Sequence, residues 1–338
     1  MPSQDLRVAV VGAGLMGTDH VERIAYRTVC AEVSAVVDID AERASAAARF
    51  AEGAQVFTSV DQLLEAQVAD AVVLATPGFL HEEALLKILE ARLPVMCEKP
   101  LTPDAESALR VLEAEKAAGK KLIHVGFMRR FDAGYRRLKS IIDSGEYGQL
   151  LMLHHQHRNA AAPESFTDEM LIHDSVVHEF DAVRFFSGEE IVNVQVRSGR
   201  RSSLATKLVR DPQHVTVQTA SGLLADVEIF VNAQLGYQVH TQASFEKGVV
   251  KIGDSGGYEI TAEQSTGRRI DQTFHTRFVD AYDQEIQKWV DDLHAGRVTG
   301  PDAWDGYAAA AVCAAGVKAQ EEGGIVEVEL AERPSFYG

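Results

Sequence analysis

A glycine-rich turn near the start of the chain places the strongest constraint on its fold. The apolar run Val8–Val11 leads directly into Gly12-Ala13-Gly14-Leu15-Met16-Gly17, which has the spacing G-x-G-x-x-G. After a buried strand, the first glycine permits a tight turn, the second lets the backbone approach a pyrophosphate, and the third allows close packing of the next helix. The N–H groups at that helix's N-terminus face the phosphates. The turn therefore predicts a dinucleotide site in an α/β fold.

A carboxylate follows the second apolar run, Val33–Val37, at Asp38. Asp38 lies about 20 residues after the glycines, where a carboxylate accepts hydrogen bonds from both ribose hydroxyls of an adenosine. It would repel a 2′-phosphate, and Asp40 adds negative charge nearby. We therefore expect NAD rather than NADP as the cofactor. The alternative interpretation is an ordinary glycine turn and a surface aspartate.

Length and composition bound the remaining possibilities. A chain of 338 residues can form two domains, each with its own core. The net charge of −17 argues against a nucleic-acid or anionic-membrane partner. No apolar run approaches the roughly 20 residues of a membrane helix, and the polar segment Met1–Asp5 does not resemble a signal peptide. Three widely spaced cysteines, Cys30, Cys97 and Cys313, indicate reduced thiols in a cytoplasmic protein.

The first third of the chain alternates short apolar runs with helix-like stretches. Strands are predicted at Arg7–Val11, Val33–Val37, Ala71–Ala75, Pro94–Glu98 and Leu122–Phe127. Helices are predicted at Met16–Ala25, Ala41–Ala51, His81–Ala91 and Asp104–Ala118. This alternation predicts a parallel sheet with right-handed crossovers, whose ligand site lies at the carboxyl ends of the strands.

The pattern changes after Phe127, where long alternating stretches rich in β-branched residues predict a mostly antiparallel sheet. These stretches are Leu150–His157, Val192–Arg197, Thr216–Val231, Val239–Phe245 and Val249–Ile252. Helices are predicted at Asp174–Phe186, near Thr276–His294 and at Asp302–Gln320. We therefore expect a dinucleotide-binding domain over residues 1–126 and a second domain over residues 127–338, with the active site where they meet.

Lys99 is the first candidate for chemistry. It follows the predicted strand Pro94–Glu98 and precedes Pro100, which restricts its backbone to an extended conformation. At the carboxyl end of a strand, an ammonium group can hold a substrate oxygen and stabilise charge on it. The alternative is a surface lysine at a strand end.

Asp174 and His178 are the second candidate. They lie four residues apart in a predicted helix and so share one face. A histidine can take a proton near neutral pH, and a carboxylate one turn away can fix its tautomer. The alternative is a helix-capping aspartate and a core histidine.

Three histidines crowd one predicted strand. Alternation places His155 and His157 on one face and His154 on the other. Because no cysteine or carboxylate joins them at a ligand-like spacing, we predict no metal site. Instead, we expect His157 and Asn159 to bind substrate hydroxyls.

Two arginines, Arg129 and Arg130, open the second predicted domain. They could bind substrate oxygens or a carboxylate. The alternative is that they lie in the first turns of a solvated helix, which is the interpretation we favour for Arg130.

In order and spacing, these motifs resemble the Gfo/Idh/MocA oxidoreductase family over nearly the whole chain. The resemblance rests on Gly12–Gly17, Asp38, Thr76-Pro77 with His81, Glu98-Lys99-Pro100 and Asp174-x-x-x-His178. Within the family the chain is most similar to bacterial inositol 2-dehydrogenases, on the basis of Val125–Arg130, His157-Arg158-Asn159, the Asp174–His178 segment and Gly236-Tyr237.

The resemblance implies an N-terminal Rossmann domain that binds NAD. It also implies a C-terminal α/β domain that binds substrate and whose large open sheet commonly mediates homodimers and homotetramers. Lys99, Asp174 and His178 would form the catalytic set. His178 would take the hydroxyl proton while hydride leaves the same carbon, Lys99 would polarise the oxygen, and Asp174 would bind a neighbouring hydroxyl and His178.

The resemblance also assigns binding residues and a reaction. The cofactor would contact Gly12, Gly14, Leu15, Met16, Gly17, Asp38, Thr76, Pro77, His81, Glu98 and Lys99. The polyol would contact Lys99, Arg129, His157, Asn159, Asp174, His178 and Tyr237. The reaction would be NAD-dependent oxidation of a ring secondary hydroxyl, with myo-inositol to 2-keto-myo-inositol as first candidate. A cis Lys99-Pro100 bond is implied as well.

At two positions the chain departs from the inositol-type pattern, so a substrate other than myo-inositol stays an alternative. Leu235 stands where a second aromatic hydroxyl is common, and Ser175 stands where threonine is familiar. Three alternative functions remain: an aldose or modified-sugar dehydrogenase, a catalytically silent NAD-binding regulator, and a redox-neutral lyase or glycosidase that retains NAD.

Overall fold

The computed structural model describes residues 5–253, 260–262 and 264–338, so Met1–Gln4 of the polar N-terminal segment lie outside it. The strands are β1 Leu6–Val11, β2 Ala31–Val37, β3 Gln55–Phe57, β4 Ala71–Leu74, β5 Val95–Glu98, β6 Ile123–Gly126, β7 Leu150–Arg158, β8 Ile191–Ser198, β9 Gln213–Thr219, β10 Leu224–Phe230, β11 Gln238–Phe245, β12 Val249–Ile252, β13 Ile260–Ala262, β14 Ser265–Gly267 and β15 Ile325–Glu327. The helices are α1 Leu15–Arg27, α2 Ala41–Ala48, α3 Val60–Ala66, α4 His81–Glu90, α5 Ala105–Ala118, α6 Ala133–Ser144, α7 Asp168–Met170, α8 Val177–Ser187, α9 Phe274–Arg277, α10 Val279–His294 and α11 Ala303–Glu322.

The chain forms two compact units. The first comprises the described residues of Met1–Phe127, Tyr282–Ala310 and Glu332–Gly338, and the second comprises the described residues of Met128–Ala281 and Ala311–Ala331. The first unit thus takes in two segments beyond the predicted boundary at residue 126. Among the described residues, no helix combines the length and apolar character that a membrane crossing requires.

The described strands of the first unit form a six-stranded sheet in the order β3-β2-β1-β4-β5-β6. Every neighbouring pair is parallel, which confirms the predicted sheet. The strand order reverses between β1 and β4, and ligands of such sheets bind at this switch point. The sequence analysis did not predict β3, because its three residues are largely exposed and too few to form a recognisable apolar run.

Part of α10 explains why the first unit extends beyond its N-terminal segment. Ile286, Trp289 and Val290 are fully buried, and they belong to one core cluster with Val8 and Val73 of the parallel sheet. Their spacing of three and four residues places them on one face of the helix. The apolar face of this late helix therefore completes the core of the first unit.

Seven of the described strands of the second unit form a sheet in the order β12-β11-β7-β10-β9-β8-β15, and β13 and β14 form a separate two-stranded sheet. Neighbours are antiparallel except β7 and β10, which run parallel. The prediction of a mostly antiparallel sheet is therefore confirmed, with one parallel pair at its centre. The predicted stretch Thr216–Val231 is two strands joined by a turn at Gly222, whose φ of +96° lies in the left-handed region that glycine tolerates best.

The predicted uniform helix over Asp174–Phe186 was wrong at its start. The helical segment begins at α7, continues through a π-helical turn over Leu171–Val176, and becomes α8 at Val177. Thr167 caps the segment, because its side-chain oxygen accepts a hydrogen bond from the N–H of Met170. A π turn contains one residue more than an α-helical turn. Asp174 and His178 are therefore not related as they would be in a uniform α-helix. Such turns are frequent at functional sites.

Candidate active site

The glycine turn of the first unit leaves space for a ligand at one position only. A side chain at Gly12 would place its Cβ 2.6 Å from the Ala75 carbonyl oxygen, and one at Gly17 would lie 1.7 Å from the Gly12 oxygen. Gly14, by contrast, would meet nothing within 4 Å, and it caps α1. The first and third glycines are thus needed for internal packing, whereas the second faces the open space that a pyrophosphate would occupy.

Asp38 is a fixed carboxylate at the end of β2. Its oxygens accept hydrogen bonds from the backbone N–H groups of Ala13 at 2.8 Å and Asp40 at 2.9 Å, and from Nη2 of Arg43 at 2.7 Å. Burial raises the pKa of Asp38, but these hydrogen bonds outweigh burial and hold the pKa below its usual range. Asp38 is therefore charged at neutral pH. Sequence reasoning missed Arg43, which lies five residues later in α2.

A cavity of about 470 Å³ adjoins these groups within the first unit. Of the predicted cofactor residues, Gly12, Gly14, Asp38, Thr76 and Pro77 line it. Leu15 and Met16 form the first turn of α1 beside the glycines. The cavity thus joins a glycine turn to the Asp38 carboxylate, an arrangement that fits the phosphates and adenosine of a dinucleotide.

His81 is buried behind this cavity, where it connects two loops. Its ring nitrogens lie 2.8 Å from the carbonyl oxygens of Thr76 and Pro100. Burial lowers the pKa of His81, although both carbonyl oxygens favour the charged form. His81 therefore supports the turn that carries Thr76 and Pro77.

Glu98 is also buried, immediately before Lys99. Its Oε1 lies 2.7 Å from Nε2 of His20, and its Oε2 accepts the backbone N–H of Lys99 at 3.3 Å. Burial raises the pKa of Glu98, but the contacts with His20 and the charge of Lys99 hold it below its usual range. The Lys99-Pro100 bond is cis, as the resemblance implies. His20 is a supporting residue that sequence reasoning missed.

In the second unit, Arg129 and His157 converge on a residue that the sequence analysis did not single out. Arg129 Nη1 donates to Oε1 of Glu179, and His157 Nδ1 lies 3.1 Å from Oε2 of the same carboxylate. All three side chains are at most 3% exposed. Burial raises the pKa of Glu179, but the charge of Arg129 and the contact with His157 outweigh it and lower the pKa to about 2. One signal in the sequence was available, because Glu179 directly follows His178 in a helix rich in apolar residues.

Tyr237 directly precedes β11, and Asn159 directly follows β7, the strand that carries His157. The Tyr237 ring packs edge-on against His157, with centroids 5.7 Å apart. Burial raises the pKa of Tyr237 to about 12 against the opposing charge of Arg129, so its hydroxyl keeps its proton at neutral pH. Asn159 Oδ1 is a buried acceptor without a hydrogen-bond partner among the described residues. Gly236 is required beside them, because a Cβ there would lie 2.7 Å from the Asp271 carbonyl oxygen.

The other histidines of β7 have separate partners. His155 Nδ1 lies 2.9 Å from Thr241 Oγ1, whereas His154 Nδ1 lies 2.5 Å from Asp226 Oδ2. The burial pattern confirms that His155 and His157 share the buried face. Within the described ranges, no group of three His, Cys, Asp or Glu residues has the geometry to hold a metal ion.

His178 and Asp174 occupy the segment in which the π turn passes into α8. His178 is buried at the first turn of α8, and Asp174 is half-buried in the π turn. His178 directly precedes Glu179, so the contacts of Glu179 with Arg129 and His157 also anchor the turn that carries His178. The π turn thus replaces the uniform α-helix in which the sequence analysis expected Asp174 and His178 to share one face.

The parallel sheet, the glycine turn and the fixed Asp38 carboxylate together define a dinucleotide-binding domain. Residues 6–127 match the model described as an oxidoreductase family with an NAD-binding Rossmann fold, and residues 135–251 match the GFO/IDH/MocA C-terminal domain. The chain therefore belongs to the Gfo/Idh/MocA oxidoreductase family, and its first unit is an NAD-binding Rossmann domain.

Several relatives match along their whole length. The chain is 56% identical over 335 residues to inositol 2-dehydrogenase 1 of Paenarthrobacter aurescens, covering 99% of each chain. It is 50% identical over 336 residues to inositol 2-dehydrogenase of Corynebacterium glutamicum, again with 99% of each covered. Among solved structures, myo-inositol dehydrogenase from Lactobacillus casei in complex with NAD(H) and myo-inositol has a TM-score of 0.96 at 34% identity, with 99% and 100% of the two chains covered.

Proposed function

We propose that this chain is an NAD-dependent inositol 2-dehydrogenase that oxidises myo-inositol to 2-keto-myo-inositol. The observation that carries the proposal is full-length identity of 50–56% to relatives named inositol 2-dehydrogenase. The first unit supports it with the glycine turn and with Asp38, which suits the ribose of NAD. The second unit supports it with a buried set of polar groups, His157, Asn159 and Tyr237, suited to a hydroxylated ring.

We assign the chemistry to Lys99, Asp174 and His178. NAD, when bound, accepts a hydride from the carbon that carries the reacting hydroxyl. His178 takes the proton of that hydroxyl on its neutral imidazole. Lys99 donates a hydrogen bond to the same oxygen and stabilises its developing charge. Asp174 accepts a hydrogen bond from a neighbouring hydroxyl and orients His178. The carbonyl product thus forms without any other oxidant.

We assign cofactor binding to residues of the first unit. Gly12, Gly14 and Gly17 shape the pyrophosphate turn, Leu15 and Met16 begin the helix beneath it, and Asp38 binds the ribose. The other residues that we propose contact the cofactor, or support the loops that contact it, are Thr76, Pro77, His81, Glu98 and Lys99. The polyol contacts are Lys99, Arg129, His157, Asn159, Asp174, His178 and Tyr237. In domain terms, we propose NAD binding by residues 1–126 and substrate binding and oligomerisation by residues 127–338.

We also propose a cytoplasmic homodimer or homotetramer assembled through the seven-stranded sheet. Along β7 the buried residues alternate with less buried ones, so one face of the sheet remains accessible within the chain. The less buried face is available to a second copy. Size-exclusion chromatography with light scattering tests this assembly, and a monomeric mass would reject it.

A spectrophotometric screen tests the function. Purified protein is assayed for NADH or NADPH formation with myo-inositol, other inositols, glucose, galactose, anionic sugars and 2-hydroxy acids, with NAD and NADP in parallel. We expect clear turnover of myo-inositol with NAD, weaker turnover of aldohexoses and none of 2-hydroxy acids, because buried polar groups reject ligands that leave them unpaired. Turnover of one sugar with none of any inositol would reject the inositol assignment.

A further inference from the structure

Glu179 joins three elements of the second unit. It lies in the first turn of α8, directly after His178, and contacts Arg129 in the 3₁₀ turn Met128–Phe131 and His157 in β7. Glu179 is fully buried and Arg129 almost so. Burying an ion pair destabilises the folded state unless the remaining polar atoms of the pair also form hydrogen bonds. Here the second carboxylate oxygen of Glu179 contacts His157.

The two contacts of His157 Nδ1 favour a proton on that ring nitrogen. Oε2 of Glu179 lies 3.1 Å from Nδ1, whereas Nη2 of Arg129 lies 3.4 Å from the same nitrogen. A guanidinium can only donate and a carboxylate can only accept, so one Nδ1 cannot satisfy both. The carboxylate is the nearer partner and is ionised next to Arg129. Nδ1 must therefore carry hydrogen and donate to Glu179, because two lone pairs at 3.1 Å would repel.

We propose that Glu179 is a positioning residue that holds His157 in its Nδ1–H tautomer and leaves Nε2 to accept a hydrogen bond from a polyol hydroxyl. Arg129 supplies the compensating charge that keeps Glu179 ionised. This inference rests on the proposed function, since it gives His157 a defined role toward a hydroxylated substrate. The acceptor selects for a hydroxyl and against an ether or carbonyl oxygen at that position.

Two double variants separate this role from mere structural support. Glu179→Gln with Arg129→Met removes both charges but keeps an amide oxygen that can accept from His157 Nδ1. Glu179→Leu with Arg129→Met removes the same charges and the acceptor. We expect KM for the polyol in the leucine variant to exceed that in the glutamine variant by at least about tenfold, with similar NAD affinity in both. Equal KM values in the two variants would overturn the proposal.

Imidazole ¹⁵N NMR of histidine-labelled protein tests the tautomer without substrate, with the His157 signals assigned by His157→Gln. We expect a protonated Nδ1 and an unprotonated Nε2 in the unsubstituted protein and in the glutamine variant, and a shift toward Nε2–H in the leucine variant. A protonated Nε2 in the unsubstituted protein would overturn the proposal even if neither variant folds. Because this measurement needs no turnover, its result is independent of whether myo-inositol is the substrate.

Discussion

The Asp38 carboxylate accepts a hydrogen bond from Arg43 at 2.7 Å, so the carboxylate that we propose binds the ribose is itself paired with a cation. The Arg43 side chain is about half exposed, whereas that of Asp38 is largely buried. The ion pair with Asp38 engages Arg43, and we expect this to make Arg43 unavailable to a phosphate. We therefore propose that the two residues together determine the choice between a ribose hydroxyl and a 2′-phosphate.

We predict a kcat/KM preference for NAD over NADP of at least about tenfold, or roughly 1.4 kcal/mol. Asp38→Ser should narrow this preference, because it removes the repulsion and frees Arg43 to pair with a 2′-phosphate. Asp40→Ser is the matched control: it removes a nearby charge, and serine can still cap α2. Steady-state kinetics with both cofactors measure the effect. A preference for NADP in the unsubstituted enzyme would refute our interpretation of Asp38.

Lys99 and His178 should be required for the chemical step. We expect His178→Ala and Lys99→Ala each to lower kcat by roughly a hundredfold or more, because proton transfer and stabilisation of the oxygen are lost. NAD affinity, measured by fluorescence titration, should be nearly unchanged in His178→Ala. Retention of normal kcat in either variant would remove that residue from the catalytic set.

Activity should persist in EDTA. The reaction as proposed needs a base and a positioned oxygen, and the three histidines of β7 are each engaged by Asp226, Thr241 or Glu179 rather than by one another. We therefore expect full activity after dialysis against chelator. Loss of activity that Zn²⁺ or another divalent ion restores would point to a metal site in the enzyme.

His155 should make stability depend on pH. Burial lowers its pKa from 6.5 to about 4, so the folded state binds fewer protons than the unfolded state between these values. The contribution of His155 to the free energy of unfolding is fully present above pH 6.5. It is lost as pH falls toward 4, by an amount on the order of 3 kcal/mol. Melting temperatures measured at intervals over this range should fall less steeply for His155→Gln than for the unsubstituted protein. Parallel curves for the two proteins would contradict the prediction.

In the second unit, alternation along a strand predicted which side chains share a face but not which residues they contact. The period of two placed His155 and His157 together and His154 opposite, and the structure confirms this arrangement. The same alternation could not supply their partners. Glu179 lies 22 residues from His157 and 50 from Arg129, and only the folded chain brings the three side chains together.

The sequence by itself determined the features that depend on chain neighbours: the glycine turn, the parallel sheet that follows from strand–helix alternation, and Asp38 at the end of its strand. Tertiary structure alone decided the π turn at Asp174, the pairing of Glu98 with His20, and the return of Trp289 to the core of the first unit. Local periodicity is set by backbone geometry and can be read along the chain. The partner of a buried charge is set by packing between distant segments, which share no periodicity.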